Sequence, residues 1–133
     1  RHVYGYTVAN DVSARDLQNA EPQWLRAKGM NTFCPLGPCL VTRRDIDDPH
    51  ALRIVTTVNG KEVQNGPTSD MIFKIPYLIS YISRFFTLHP GDMILTGTPP
   101  GVGAASKTFL KDGDEVSVTI EGIGTITNPC KVS

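Results

Sequence analysis

Apolar and polar residues alternate along residues 52–63, and this pattern predicts a β-hairpin. Alternation with a period of two is typical of a strand with one buried face. The apolar or β-branched positions are Leu52, Ile54, Thr56 and Val58, followed by Asn59-Gly60 and then Lys61-Glu62-Val63. Asn-Gly readily adopts the positive φ angles that both central positions of a type I′ turn require. We therefore expect two antiparallel strands joined by a tight turn.

A second hairpin is predicted near the end of the chain. Its first strand has Val116, Val118 and Ile120 in alternation with Ser117 and Thr119, and Glu121-Gly122 separates it from the segment Ile123 to Thr127. Two further strands are expected, at Tyr4 to Ala9 and at Met93 to Thr96, the latter after the turn His89-Pro90-Gly91-Asp92. These elements indicate a mainly β fold.

One clear helix is predicted to begin at Pro76, because the missing N–H of proline would have no partner in the first helical turn anyway. The apolar residues that follow repeat with a period near 3.6: Leu78, Ile79, Ile82, Phe85 and Phe86. Such a stripe is typical of the core-facing side of a helix. We expect it to be buried.

Composition narrows the possible functions. The chain has 133 residues with 13 Lys and Arg against 13 Asp and Glu, so no net charge attracts it to nucleic acid or anionic lipid. Its longest apolar stretch, residues 75–86, contains a proline and polar residues and is shorter than the roughly 20 residues of a membrane span. Three cysteines without a C-x-x-C pair predict a reducing compartment, cytoplasmic or organellar, and we expect the cytoplasm.

The first candidate site is the polar segment Asn10 to Asp16, which follows the strand expected at its N-terminal side. Asp11 is a hard oxygen ligand suited to Mg²⁺ or Mn²⁺, and Arg15 could present its planar guanidinium to a carboxylate. An alternative has equal weight from these residues alone. In it, Asp11 or Ser13 caps a helix, and Arg15 and Asp16 are solvated charges.

Three further segments carry candidate chemistry. Residues 28–38 predict an ordered loop in which Lys28 is either a surface amine or a cationic ligand, and Cys34 has no nearby His base to make it a nucleophile. The Gly/Pro turn Thr96 to Gly103 could bind a small carboxylate, but it lacks the Lys and the following helix of a phosphate loop. The segment Gln64 to Asp70 is favoured as a turn ending in a helix N-cap.

Histidines offer no further site in the sequence. His2, His50 and His89 are far apart, and the turn settings of His50 and His89 favour surface positions. No His and Cys residues have zinc spacing, and no G-x-S-x-G motif is present.

Four motifs in order closely resemble the fumarylacetoacetate hydrolase family over essentially the whole chain. They are Gly5 to Asp16, the Lys28 to Pro38 loop ending in Phe33-Cys34-Pro35-Leu36-Gly37-Pro38, Val58-Asn59-Gly60, and Leu95 to Gly103. The resemblance implies a rolled, sandwich-like β fold with one clear amphipathic helix and short helical turns. It also implies a homodimer, with residues 1–133 as the C-terminal portion of a single catalytic domain. The chain begins Arg1-His2 without Met and enters a dense motif at once, so we expect an upstream part.

The resemblance also implies a Mg²⁺ or Mn²⁺ ion held by three carboxylates, of which Asp11 matches the third. The other two belong to a Glu-x-Glu element upstream of the Gly-Tyr motif, and no pair of glutamates in this chain has that spacing. Arg15 and Lys28 match the cationic catalytic and substrate ligands, and Thr98 matches the hydroxyl that binds the acid end of the substrate. Gly97 in the same turn and Gln64 are further candidate substrate-binding residues. The family's His/Glu general base, on an upstream lid, has no counterpart here.

These assignments imply an enzyme that acts on 2-keto or β-diketo acids, in which a metal and a cation stabilise an enolate. We expect C–C bond hydrolysis of an acylpyruvate or fumarylacetoacetate-like substrate ahead of decarboxylation or keto–enol isomerisation. The alternative from another class is a catalytically inactive binding or assembly module, since two metal ligands and the base have no match in these residues.

Overall fold

The first predicted hairpin forms and is longer than expected. In the computed structural model, which describes residues 2–131, it consists of β3 (Arg53–Val58) and β4 (Lys61–Pro67). Asn59 and Gly60 have φ angles of 51° and 77°, as the type I′ turn requires. The Asn59 side chain also donates to Asp114 Oδ1 (2.8 Å) and accepts from the Glu115 N–H (2.8 Å). The turn is thereby bonded to the start of the second hairpin.

The second hairpin forms as predicted, from β5 (Glu115–Ile120) and β6 (Gly124–Pro129). Val118 lies opposite Ile126, and both are buried. On the other face, Ser117 bonds Thr127 and Thr119 bonds Thr125, each with hydroxyl oxygens 2.8 Å apart. The alternation of apolar and hydroxyl residues therefore sets which face meets the core.

The strands form two antiparallel sheets. β3 joins the two hairpins into one sheet of order β4-β3-β5-β6, and β1 (Gly5–Ala9) pairs with β2 (Leu36–Thr42) in the other. A mainly β fold with few helices is thus confirmed. The helices are short: α1 (Arg15–Ala20), α2 (Leu25–Lys28), α3 (Ile75–Ile82) and α4 (Gly103–Ser106), with a 3-10 turn at Thr68–Asp70.

The core lies between the two sheets. Val8 of β1 is fully buried, and it packs in one cluster with Ile46, Val116, Val118, Ile123 and Ile126. Each fully buried Val or Ile side chain stabilises the fold by roughly 1.5–3 kcal/mol. Four of these six residues lie in or next to β5 and β6, so the second hairpin supplies most of the core.

Three local predictions are wrong. The segment 64–70 is not a turn ending in an N-cap, because residues 64–67 belong to β4, where Gln64 lies opposite Thr56 of β3. Thr68 then bonds Leu52, through its N–H to the Leu52 carbonyl (2.8 Å) and through its hydroxyl, which accepts the Leu52 N–H (3.0 Å). The N-cap of α3 is Lys74, without a side-chain cap bond.

The second correction concerns the predicted helix and its stripe. α3 ends at Ile82, so Phe85 and Phe86 lie beyond it, and they are 65% and 68% exposed. No residue of α3 is buried. Four aromatic rings instead contact one another in a row: Phe73–Tyr77 (4.9 Å between centroids) and Tyr77–Tyr81 (6.1 Å) are stacked, and Tyr81–Phe85 (5.3 Å) is edge-to-face. The periodicity marks an apolar face but does not supply a surface to bury it.

The prediction of a strand at Met93 to Thr96 is also wrong, because this segment forms no strand and pairs with none within residues 2–131. A strand needs a partner as well as the right residues, and a local pattern does not provide one.

No helix between His2 and Lys131 is long and apolar enough to cross a membrane.

Candidate active site

Asp11 and Lys28 form an ion pair at the end of β1. The strand ends at Ala9, and the Asn10 N–H donates to the Pro35 carbonyl (3.1 Å), so Asp11 projects from a bonded turn. Lys28 is the last residue of α2 and donates from Nζ to Asp11 Oδ2. The two side chains are 28% and 45% exposed, with Lys28 the more buried. Residues 17 positions apart are therefore neighbours.

The capping alternative for this segment is wrong. The N-cap of α1 is Ala14, with no side-chain cap bond, and the Ser13 hydroxyl donates to the Asp11 backbone carbonyl at 3.2 Å. The Ala14 N–H donates to the Ala27 carbonyl (2.9 Å), which ties the start of α1 to α2. This bond links the residue before Arg15, which begins α1, to the residue before Lys28, which ends α2.

Arg15 has a partner that the sequence analysis missed. Its Nη1 donates to Gln18 Oε1, one helical turn further along α1. The three-residue spacing on a predicted helix was the available signal, since such residues face the same side. The guanidinium is held on its own helix and makes no ion pair with a residue of the described part of the chain.

Gln64, Thr98 and Pro99 form a second bonded group. Gln64 Nε2 donates to Thr98 Oγ1 (2.9 Å) and to the Pro99 carbonyl (2.8 Å). The turn containing Thr98 lies directly against β4, because a Cβ atom at Gly101 would stand 2.0 Å from the Val63 carbonyl oxygen. Gly101 has a φ of 109°, so both space and conformation require glycine there. The turn is thus seated on the edge of the larger sheet.

The loop predictions need two adjustments. Residues 28–38 are less of a loop than expected, because Lys28 belongs to α2 and Leu36 onward belongs to β2. The turn Thr96 to Gly103 does run into a short helix, α4, although it still lacks the phosphate-loop Lys. A helix of four residues is too short to show a 3.6-residue apolar period, so the sequence pattern did not predict α4.

One open cavity of about 3000 Å³ connects the two groups. All six predicted site residues line it: Asp11, Arg15, Lys28, Gln64, Gly97 and Thr98. Pockets for small molecules typically measure about 300–1,000 Å³, so this is a wide cleft whose walls carry the two groups. The two groups border the same open space, whose lining includes much of the described chain, and the roles of these residues stay predictions.

The residues described here supply Asp11 as a candidate metal ligand and do not complete a metal site. Between His2 and Lys131, no three His, Cys, Asp or Glu side chains are grouped so that they could hold an ion. One carboxylate does not satisfy the octahedral geometry of Mg²⁺. Asp11 fits as one ligand of such an ion and not as its whole site.

His50 is not the surface residue that the sequence favoured. It is half-buried, its Nε2 accepts the Ile75 N–H at the start of α3 (3.2 Å), and its Nδ1 lies 3.5 Å from Asp48 Oδ1. His89 is exposed, as expected, and so is His2. His50 therefore has a structural contact that only the fold reveals.

Asp114 is the acidic group with the clearest electrostatic effect. The Asn59 amide, first, and the Lys111 backbone N–H, second, donate to its carboxylate and hold the pKa of Asp114 below its ordinary value of 3.8. This carboxylate belongs to the junction between the two hairpins. It serves the fold and not the Asp11–Lys28 pair.

Comparisons with known proteins agree with this architecture. The family model described as fumarylacetoacetate (FAA) hydrolase C-terminal matches residues 1–131. Human mitochondrial oxaloacetate tautomerase FAHD2A is 56% identical over 131 residues, which cover 96% of this chain and 42% of that protein. The chain thus spans less than half the length of this relative.

Two solved structures are similar over nearly the whole of this chain. The 2-hydroxyhepta-2,4-diene-1,7-dioate isomerase from Mycobacterium marinum has a TM-score of 0.86 and 54% identity, with 95% of this chain and 47% of that one covered. Fumarylacetoacetate hydrolase from Exiguobacterium antarcticum has a TM-score of 0.94 and 42% identity, with 99% and 48% covered.

Proposed function

The chain belongs to the fumarylacetoacetate hydrolase family, and from that premise we propose that it serves an enzyme acting on 2-keto or β-diketo acids. The observation that carries the proposal is the shared cleft. Lys28 and Arg15 bring two cationic side chains to it, and Thr98 brings a hydroxyl. Cationic side chains suit the developing charge of an enolate, and a hydroxyl suits the acid end of a keto-acid substrate.

Lys28 is the proposed enolate-stabilising residue. Its ammonium is a compact point charge, and the contact with Asp11 holds it at the end of β1. Negative charge accumulates on the substrate oxygen as the enolate forms, so an ammonium already in place binds the transition state more strongly than the ground state. Arg15, held by Gln18, would bind the planar carboxylate or the second oxygen of the substrate.

Thr98 is the proposed ligand for the acid end of the substrate. Gly97 precedes it with a φ of 107°, a backbone conformation that favours glycine, and so contributes to the shape of the turn. Gln64 reaches this turn from β4 and contacts Thr98 directly. Gly97 and Gln64 thus belong to the proposed substrate-binding group, Gly97 through the shape of the turn and Gln64 through its contact with Thr98.

A Mg²⁺ or Mn²⁺ ion belongs to the same proposal, with Asp11 as one ligand. Such an ion would act as a Lewis acid on the substrate oxygens. Because one carboxylate does not hold it, the remaining ligands would come from the substrate and from polypeptide outside residues 1–133.

We favour keto–enol tautomerisation of oxaloacetate or a similar 2-keto diacid as the reaction. Relatives at 56% and 54% identity are named as a tautomerase and an isomerase. C–C bond hydrolysis is the second candidate, because the chain superposes on a fumarylacetoacetate hydrolase with a TM-score of 0.94. Each of these reactions, and decarboxylation as well, passes through an enolate of a 2-keto acid.

The wider setting is proposed on the same basis. The chain would form the C-terminal portion of one catalytic domain and assemble as a homodimer, without nucleic acid or membrane as partner. The exposed rings of Tyr77, Tyr81 and Phe85 support an assembly, since large apolar patches commonly mark interfaces. Three free cysteines favour a reducing compartment, either the cytoplasm or the mitochondrion that the name of the human relative gives.

The test is a substrate panel on the full-length protein with Mg²⁺ or Mn²⁺. Oxaloacetate tautomerisation is followed by the ultraviolet absorbance of the enol, and cleavage of acylpyruvates by the pyruvate that is released. Turnover of oxaloacetate without pyruvate release would support the tautomerase, and pyruvate release from acylpyruvates would support the hydrolase. No turnover of any keto acid with either metal would refute the enzyme and favour an inactive binding or assembly module.

A further inference from the structure

We infer that Gln64 is a positioning residue, which turns the Thr98 hydroxyl into a dedicated hydrogen-bond donor for the substrate carboxylate. The inference rests on the proposed function of Thr98 and differs from it in what Gln64 does. Gln64 does not need to touch the substrate. It acts by using the acceptor capacity of Thr98, so that the proton of that hydroxyl is left for the ligand.

The first step is the orientation of the Gln64 amide. The amide atom 2.8 Å from the Pro99 carbonyl oxygen must be the nitrogen, because a carbonyl oxygen only accepts hydrogen bonds. The same nitrogen lies 2.9 Å from Thr98 Oγ1. An amide nitrogen has two N–H bonds and no acceptor capacity, so one N–H serves Pro99 and the other serves Thr98.

The second step is the state of the hydroxyl. Since Gln64 donates to it, Thr98 Oγ1 is the acceptor of this bond and its own O–H is not used there. Thr98 is exposed, lines the cleft, and makes no other side-chain hydrogen bond within residues 2–131. An ionised carboxylate only accepts hydrogen bonds. The free O–H of Thr98 is therefore the complement that such a ligand needs.

The third step is the rigidity of the arrangement. Gln64 lies in β4 opposite Thr56, within a paired strand, and the turn with Thr98 is held against that strand by the close approach of Gly101 to Val63. A donor fixed before the ligand arrives costs less to order on binding than a free rotor. The sheet thus positions the hydroxyl through one side chain.

The experiment is a double-mutant cycle on the full-length enzyme. Gln64→Met removes the amide and keeps the side-chain length, and Thr98→Val removes the hydroxyl and keeps its shape. Thr98→Val is expected to raise KM for the keto acid about tenfold, as for a lost hydrogen bond to a charged group, and Gln64→Met about fivefold. In the double variant the loss should equal that of Thr98→Val alone, because Gln64 acts through the hydroxyl.

Two further variants sharpen the test. In Gln64→Glu the ionised side chain can only accept hydrogen bonds, so the Thr98 hydroxyl donates to it and not to the substrate. KM should therefore rise more than in Gln64→Met, and it should recover partly as the pH is lowered. Thr98→Ser keeps the hydroxyl, so its KM should stay close to the wild-type value. Gln23→Met is the matched control, since Gln23 is exposed and lies outside the lining of the cleft. Melting temperatures of all variants report any loss of folding.

The outcomes separate the two proposals. If the wild type turns over a keto acid but the effects of Gln64→Met and Thr98→Val are additive, the positioning role is overturned and the enzyme remains. If nothing is turned over, the same cycle is run on pyruvate binding measured by NMR titration. Coupled losses of affinity there would support the positioning role without the proposed activity. Absence of pyruvate binding by the wild type would overturn both.

Discussion

Replacing Lys28 with Met separates the proposed catalytic role from a structural one, because the two predict effects of different size. Met keeps much of the apolar stem and removes only the charge. The lost ion pair with Asp11 is partly exposed, at 28% and 45%, so water screens it and its loss costs at most about 1 kcal/mol of stability. For a domain of this size that lowers the melting temperature by about 5 °C or less.

The expected loss of catalysis is larger. Removing one preorganised contact to a developing oxyanion typically costs roughly 3 kcal/mol, which is about a hundredfold in rate. The assay is steady-state turnover of oxaloacetate by full-length Lys28→Met beside a circular dichroism melt. We expect a fall in kcat of about a hundredfold or more with the melt nearly unchanged. Lys111→Met is the matched control, since Lys111 is exposed and lies outside the lining of the cleft.

One result would refute the reasoning. If Lys28→Met keeps a kcat/KM close to that of the wild type with an unchanged melt, Lys28 does not belong to the reaction, and the assignment of Arg15 from the same resemblance is weakened. A large fall in melting temperature with kcat nearly intact would instead make Lys28 a structural lysine.

Three other predictions test separate parts of the molecule. The isolated 133-residue chain should bind Mg²⁺ only weakly in isothermal titration, because Asp11 is a single carboxylate; tight binding would reveal an unrecognised site. Gly101→Ala should raise KM strongly, because its Cβ would stand 2.0 Å from the Val63 carbonyl oxygen and displace the turn with Thr98. Gly113→Ala is the control for backbone strain, since Gly113 also has a positive φ, has nothing within 4 Å of an added Cβ and lies outside the lining of the cleft. The lowered pKa of Asp114 means that its contribution to stability is present above 3.8 and is lost as the pH falls through the folded pKa, so Asp114→Asn should flatten the acid limb of the stability curve in urea unfolding.

The hairpins were predictable because their determinants are local. Positive φ at Asn59-Gly60 and the two-residue alternation from Val116 to Ile120 act between neighbours, whatever the rest of the chain does. The absence of burial at α3 was not predictable, because an apolar helix face is buried only where another part of the molecule covers it. The same holds for Met93 to Thr96, which has strand residues and no partner strand in the described region.

The candidate residues were found one motif at a time, and the resemblance to a family grouped them. What the sequence determined by itself was the identity of the chemical groups and the short turns that carry them. Only the tertiary structure decided that Lys28 meets Asp11 and that Gln64 meets Thr98, across 17 and 34 positions. These two contacts depend on the Ala14–Ala27 hydrogen bond and on the close approach of Gly101 to β4. Both are long-range contacts, and the local conformational preferences of a single segment do not determine the energy of a long-range contact.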